Sequence, residues 1–96
     1  MLVDETPDYR EWFEQRSKAD KAQISARVIR IREHNHLGDT RYLGKGLAEL
    51  RWKNGRRVYY AAIGKDSILF LIGGNKNGQK KDIEKARHIL QKYTSD

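Results

Sequence analysis

Two arginines, Arg51 and Arg57, flank the strongest turn signal in the chain, Asn54-Gly55, and a carboxylate, Glu49, stands just before the first of them. Polar and apolar residues alternate through Glu49-Leu50-Arg51-Trp52 and again through Arg57-Val58-Tyr59-Tyr60, which predicts an antiparallel hairpin. A three-residue loop, Lys53-Asn54-Gly55 with Gly55 left-handed, sets Arg51 opposite Arg57, Glu49 opposite Tyr59, Leu50 opposite Val58 and Ala48 opposite Tyr60. A two-residue loop would pair Arg51 with Val58 and mix the faces, because a one-residue slip sends every side chain to the other side. In the preferred register one face is apolar and the other holds two guanidiniums, a carboxylate and a phenol. Opposed like charges repel, so the pattern suggests an anionic ligand between the arginines, or Glu49 neutralising them. A solvated sheet face with one Glu–Arg pair has the same pattern.

A second group of cations, Lys76, Lys80 and Lys81, falls where an apolar strand ends and a helix begins, a place where free backbone N–H groups also favour anions. A solvated basic turn reads identically. His34 and His36 raise acid–base or metal chemistry, but i, i+2 spacing at a helix end does not put both rings on one face. No third ligand lies nearby, so no metal site is expected, and His88 reads as structural or exposed.

These residues need elements to position them. Ninety-six residues allow one domain, 1–96, with one modest core. Without cysteine, neither a disulfide framework nor a thiolate metal site is available. The opening MLVDETPDY has no apolar signal core and no run reaches membrane-spanning length, so a cytoplasmic protein without membrane contact is expected. The net charge of +7 is uneven: residues 1–16 carry two arginines against five acids, leaving +10 on residues 17–96. A body that basic attracts polyanions, nucleic acid or an acidic protein segment.

The run 68–72 is uninterruptedly apolar and bounded by glycines, as expected of a central strand covered on both sides. Leu2 and Val3 suit a short edge strand. Thr6-Pro7-Asp8 opens a helix, with Tyr9, Trp12 and Phe13 on its core face and an end near Arg16 or Ser17. A longer helix follows over 17–36, with Ile24, Val28 and Ile31 on one stripe and Ala22, Ala26 and Ile29 on the opposite one. Two apolar sides predict packing on the sheet and on the first helix, an αα-hairpin. Lys21, Arg27, Arg30 and Arg32 then form a solvated face. Residues 33–46 read as a connection and 75–79 as a loop. A last helix over 80–93 presents Ile83, Ala86, Ile89, Leu90 and Tyr93, and the tail from Thr94 to Asp96 reads as loose.

The order of these pieces resembles the RelE/ParE toxin superfamily, and within it the HigB-like, phage-derived addiction-module killer proteins. The likeness rests on Gly38-Asp39 with Leu43-Gly44-Lys45-Gly46, Glu49-Leu50-Arg51, Arg57-Val58-Tyr59-Tyr60, Gly73-Gly74-Asn75-Lys76, and Gln79 through Asp82-Ile83 to Ala86. Each motif is short; five in order cover nearly the whole chain. The resemblance implies an α+β fold in which two N-terminal helices pack on a mostly antiparallel three- to four-stranded sheet with a C-terminal helix. It further implies a toxin that degrades mRNA, often on the ribosome, held inactive by a cognate antitoxin, expected to be a small helix-turn-helix protein.

By that resemblance Arg57 matches the arginine that contacts the scissile phosphate, Arg51 stands near a basic position of the preceding strand, and Lys76 near the basic residue after the apolar strand. Asp82 occupies the zone where RelE carries a tyrosine. The hairpin is shorter than the Gly-Pro-Gly form common among the killer proteins. The chemistry expected of such a set is cofactor- and metal-free RNA cleavage by 2′-hydroxyl attack on the adjacent phosphate. It needs a base, positive charge for the phosphorane, and an acid for the departing 5′-oxygen. Arg51, Arg57 and Lys76 supply the charge, with Lys76 the candidate base. Glu49 or Asp82 is the alternative base or an orienter of arginine, and Tyr59 a residue to stack on a base or donate to phosphate. Lys53, Arg56, Lys80 and Lys81 are expected to bind RNA. The alternatives are a ParE-like inhibitor of DNA gyrase on the same fold, and a non-toxic RNA-binding relic.

Overall fold

The computed structural model describes residues 1–94. Its elements are β1 (Leu2–Glu5), α1 (Pro7–Glu14), α2 (Lys18–His34), β2 (Thr40–Gly44), β3 (Leu47–Arg51), β4 (Arg56–Gly64), β5 (Ser67–Asn75), a 3-10 turn at Lys76–Gly78 and α3 (Gln79–Thr94). The strands form one sheet in the order β1-β5-β4-β3-β2, with β1 parallel to β5 and the other pairings antiparallel.

The central hairpin has the expected register: Arg51 pairs with Arg57, Leu50 with Val58, Glu49 with Tyr59 and Ala48 with Tyr60. The turn explains it. Gly55 adopts φ +98° and donates its N–H to the Trp52 carbonyl, while Trp52 N–H reaches the Arg56 carbonyl across the loop. A side chain at that φ is strained, so the glycine fixes the loop length and the loop length fixes both faces.

Those faces carry two clusters. On one, Leu50, Val58, Tyr60 and Phe70 pack with Tyr9 of α1 and Ile31 of α2; on the other, Leu47, Tyr59, Leu69 and Leu71 pack with Ala86, Ile89 and Leu90 of α3. Burial on both sides is why β5 is apolar throughout. It is not the middle strand, however: β4 lies at the centre, and β5 is separated from the edge by β1.

Thr6 caps α1 through the Tyr9 N–H, Ser17 caps α2 through the Asp20 N–H, and Asn35 ends α2 in the left-handed region at φ +55°. The first helix therefore stops at Glu14, the second spans Lys18–His34, and the last begins one residue earlier than expected and ends one later. Ser95 and Asp96, where a loose tail was expected, lie outside the described residues; Thr94 is helical and bonds to the Leu90 carbonyl.

Two expectations are overturned. The segment read as a connection contains β2, a fifth strand, paired with β3 from Thr40↔Leu50 to Gly44↔Leu47. As an exposed edge strand it buries little and so leaves a weak apolar pattern; its turn runs through Lys45 (φ +51°) and Gly46 (φ +82°), the all-positive backbone that suits a two-residue hairpin. The second correction concerns α2, which buries Ile24, Arg27 and Ile31 and leaves Ala22, Ala26 and Ile29 exposed. It docks by one side only, so the second apolar stripe does not pack on α1; the two helices meet instead through Lys21, which reaches Glu14 at 3.5 Å and lies over the Phe13 ring.

Candidate functional site

The polar face of the hairpin lies beneath the first turn of α3. Glu49 is completely buried there, with its carboxylate accepting from the Gln79 side-chain amide at 2.9 and 3.3 Å and lying 3.8 Å from the Arg57 Nε. Arg57 donates through Nη1 to the Arg56 carbonyl, while its Nε, like the Tyr59 hydroxyl, is buried and lacks a hydrogen-bond partner among the described residues. Burial pushes the Tyr59 hydroxyl well above its ordinary value, and Glu49 and Asp82 add to the effect. The phenol is therefore uncharged at physiological pH, which suits a site already holding a buried carboxylate.

Asp82 stands on the same patch. A Cβ on Gly74, the cross-strand partner of Arg57, would collide with the Asp82 carboxylate, so the glycine permits this approach. Desolvation pushes the Asp82 carboxyl above the usual carboxylate range, opposed by Lys85 and by the nearby Asn75 backbone.

Arg51 lies on the same face but is drawn towards the β2 edge, where Nε and Nη2 both donate to Asp39 Oδ1, at 3.3 and 2.9 Å. Lys76 donates its N–H to the Gly55 carbonyl, and its exposed side chain runs beside Gly55. The three candidate cations thus share the hairpin end of the sheet. Direct polar contact joins Arg57 to Glu49, and Arg51 to Asp39, but not the three to one another. Lys53, Lys80 and Lys81 are exposed around them, as an RNA-facing role requires.

Arg56 does not belong with that group. It is buried on the opposite face, bonded to Asp20 and to Gln23 Oε1, with its guanidinium 5.5 Å from the Trp52 ring. Glu49 and Tyr59, expected as a base and as a stacking or donating residue, are both fully buried and present no surface to a substrate. The histidines at 34, 36 and 88 are exposed, and no metal-sized cluster of ligating side chains occurs among the described residues.

Three residues that hold the site together escaped sequence reasoning. Gln79 supports Glu49, Asp39 neutralises Arg51, and Arg27, assigned above to a solvated face, is buried and bonded to the carbonyls of Leu37, Asp39 and Arg51. Arg27 could have been found: it sits between Ile24 and Ile31 on the stripe that packs inward.

Comparisons with known proteins agree with this architecture. Residues 11–94 match the sequence profile of the family described as phage-derived protein Gp49-like. An uncharacterized protein of Haemophilus influenzae is 36% identical over 73 residues, covering 74% of this chain and 73% of that protein. Among solved structures, a chain of the intact Escherichia coli RelBE toxin–antitoxin complex superposes with a TM-score of 0.65 at 13% identity, over 77% of this chain and 94% of that one. A free Escherichia coli RelE mutant gives 0.71 at 13% identity, over 92% and 96%. At such identity the likeness is one of fold, and the profile match supplies the kinship: the chain belongs to the Gp49-like family of phage-derived proteins and has the RelE fold.

Proposed function

We propose that this protein is the toxin of a toxin–antitoxin pair and that it cleaves mRNA on the translating ribosome. The observation that carries the reading is the cross-strand pair Arg51 and Arg57, set on one sheet face with Glu49 bound beneath. Planar guanidiniums match phosphoryl oxygens, and a buried carboxylate holds Arg57 in orientation without occupying its outer edge. In the reaction the 2′-oxygen loses its proton and bonds to phosphorus, the P–O5′ bond breaks, and the departing oxygen takes up a proton. Arg51 and Arg57 stabilise the charge on the phosphorane. Lys76 stands as the proton-transfer group, with Asp82 as the alternative. A set with no tight acid–base pair acts slowly on free RNA and faster where another scaffold positions the substrate. The partner is a cognate antitoxin, read as a helix-turn-helix protein that covers the basic face or keeps the toxin off the ribosome; that the similar RelBE structure is a toxin–antitoxin complex supports an antitoxin partner.

The test is induction in cells with mapping of mRNA 5′ ends, comparing wild type with Arg57→Ala. New ends and growth arrest with the wild type, both lost in a variant folded by circular dichroism, are expected. Full arrest by the folded variant removes Arg57 from the mechanism. The burial of Glu49 and Tyr59 withdraws two groups from the cleavage chemistry and so leaves room for the second reading, a toxin of the same fold that acts by binding DNA gyrase. Under it, a DNA damage response precedes any fall in protein synthesis and no new mRNA ends arise.

A further inference from the structure

The chain that leaves α2 turns back over the side chains of that helix. Asn35 at φ +55° and Gly38 at φ +76° send residues 35–39 across to Arg27, whose guanidinium bonds the carbonyls of Leu37, Asp39 and Arg51 and lies 4.4 Å from the Trp52 ring. A Cβ on Gly38 would stand 3.1 Å from that guanidinium, tighter than ordinary contact, so the glycine permits the close approach. Between this segment, α2 and the end of the central hairpin lies a pocket of about 290 Å³. Ligand sites begin at about 300 Å³, so a pocket of this size suits one flat ring system and not a folded segment.

The lining is made largely of planar groups: the Trp52 indole, the guanidiniums of Arg27 and Arg30, and the His36 imidazole. Unstacked bases of single-stranded RNA rest on such surfaces. The polar groups of the floor are already engaged, since Arg27 takes three backbone carbonyls and the one lining carboxylate, Asp39, is bound by Arg51 at 2.9 and 3.3 Å. Arg30 and Lys53 are exposed and make no salt bridge among the described residues. That leaves Lys53 for phosphate at the mouth and Arg30 for acceptors on a base edge. Four cations against one carboxylate draw a polyanion to the opening. Arg51 both lines the pocket and stands opposite Arg57 on the sheet, so a strand resting its phosphate on the arginine pair brings a neighbouring nucleotide to the pocket. A bare phosphate or an acidic peptide would meet the cations but leave the flat walls uncovered.

We propose that this pocket receives one base of the RNA strand, from a nucleotide adjacent to the one held at Arg51 and Arg57, turned out of the stack and lying among Trp52, Arg30 and His36. The inference rests on the RNA reading given above, but it concerns binding and not the cleavage step.

The probe is a 2′-O-methyl RNA hexamer, which lacks the attacking hydroxyl, titrated into the full chain while amide and indole N–H resonances are followed by NMR. The chain has two tryptophans, and Trp52 lines this pocket whereas Trp12 stands over Gly73. Shifts of the Trp52 indole and the Gly38 amide are expected, with the Trp12 indole unmoved. An abasic hexamer with the same number of phosphates should leave Trp52 in place. Equal shifts from it would assign the pocket to phosphate, and equal shifts from a Glu-Val hexapeptide would assign it to an acidic protein segment; either overturns the proposal. Arg30→Ala, on the helix surface, should weaken hexamer binding about tenfold, the loss of one stacking surface. Arg30→Lys keeps the charge without the plane and should not restore it, and full restoration overturns the proposal. New mRNA ends in cells without movement of Trp52 by the hexamer would overturn the pocket and leave cleavage standing. Movement of Trp52 without new mRNA ends would support the pocket and remove the cleavage reading alone.

Discussion

At the scale of single residues, the candidate site is a small set of groups whose electrostatic demands are met from below. The Tyr59 hydroxyl is buried without a partner among the described residues, so the native state bears its desolvation cost. Tyr59→Phe should therefore leave stability unchanged or raise it by about 1 kcal/mol in urea unfolding. If the variant is instead destabilised by more than that, the hydroxyl has a partner that the geometry does not show. Asp82 gives a test in pH. Its carboxyl is raised in the folded state by desolvation, so between the ordinary carboxylate value and the raised one the native protein binds more proton than the unfolded chain. Stability should fall as pH rises through that window. In Asp82→Asn, which keeps the shape of the side chain but cannot titrate, this part of the pH dependence should vanish in thermal melts taken across the window. The facing of Arg51, Arg57 and Glu49 was legible because Gly55 sets it locally. The depth of Glu49 was not, because the group that covers it, Gln79, stands thirty residues away in sequence.

Elements were read well where they bury an apolar stripe and poorly where they do not. The run 68–72 gives β5 away, whereas β2, an edge strand with its first three residues exposed, has no such stripe to show. The α2 helix misled in the other direction, since Ala22, Ala26 and Ile29 suggest a second buried side that the tertiary structure leaves in solvent. What binds α2 to the sheet is partly polar. Arg27 spreads three donors over the carbonyls of Leu37, Asp39 and Arg51, stacks 4.4 Å from Trp52, and has its charge disfavoured by desolvation. Arg27→Ala would strand those acceptors and expose the Trp52 face. With unsatisfied buried acceptors costing ~1–3 kcal/mol each, a loss of at least about 3 kcal/mol is expected in chemical denaturation. A loss below about 1 kcal/mol would mean that water replaces the guanidinium and the clamp is not structural. Because Arg27 and Arg51 share the Asp39 segment as anchor, Arg27→Ala should also loosen the Arg51 side chain.

For the whole molecule, the uneven charge foreseen in composition has a spatial form. The basic residues Arg51, Lys53, Arg57, Lys76, Lys80 and Lys81 gather around the hairpin end, while the acids of α1 border the β5 edge. The first group predicts how RNA binding depends on salt. Each phosphate neutralised on a single strand contributes about −0.7 to the slope of log K against log salt, so six cations set a limit near −4. A cleavage-blocked protein titrated with single-stranded RNA at several salt concentrations should approach but not exceed that slope. Lys80→Ala with Lys81→Ala should reduce its magnitude by about 1.4. Arg10→Ala, on the α1 surface and paired with Glu5 at 2.7 Å, should leave it unchanged. Such a difference locates the RNA path, because the long-range field of the protein would respond alike to any lost charge, whereas released counterions report only the cations in contact with phosphate. Equal effects per charge removed from the α1 and α3 variants would mean that RNA is held by net charge alone, and the arginine pair would lose its claim to the scissile phosphate.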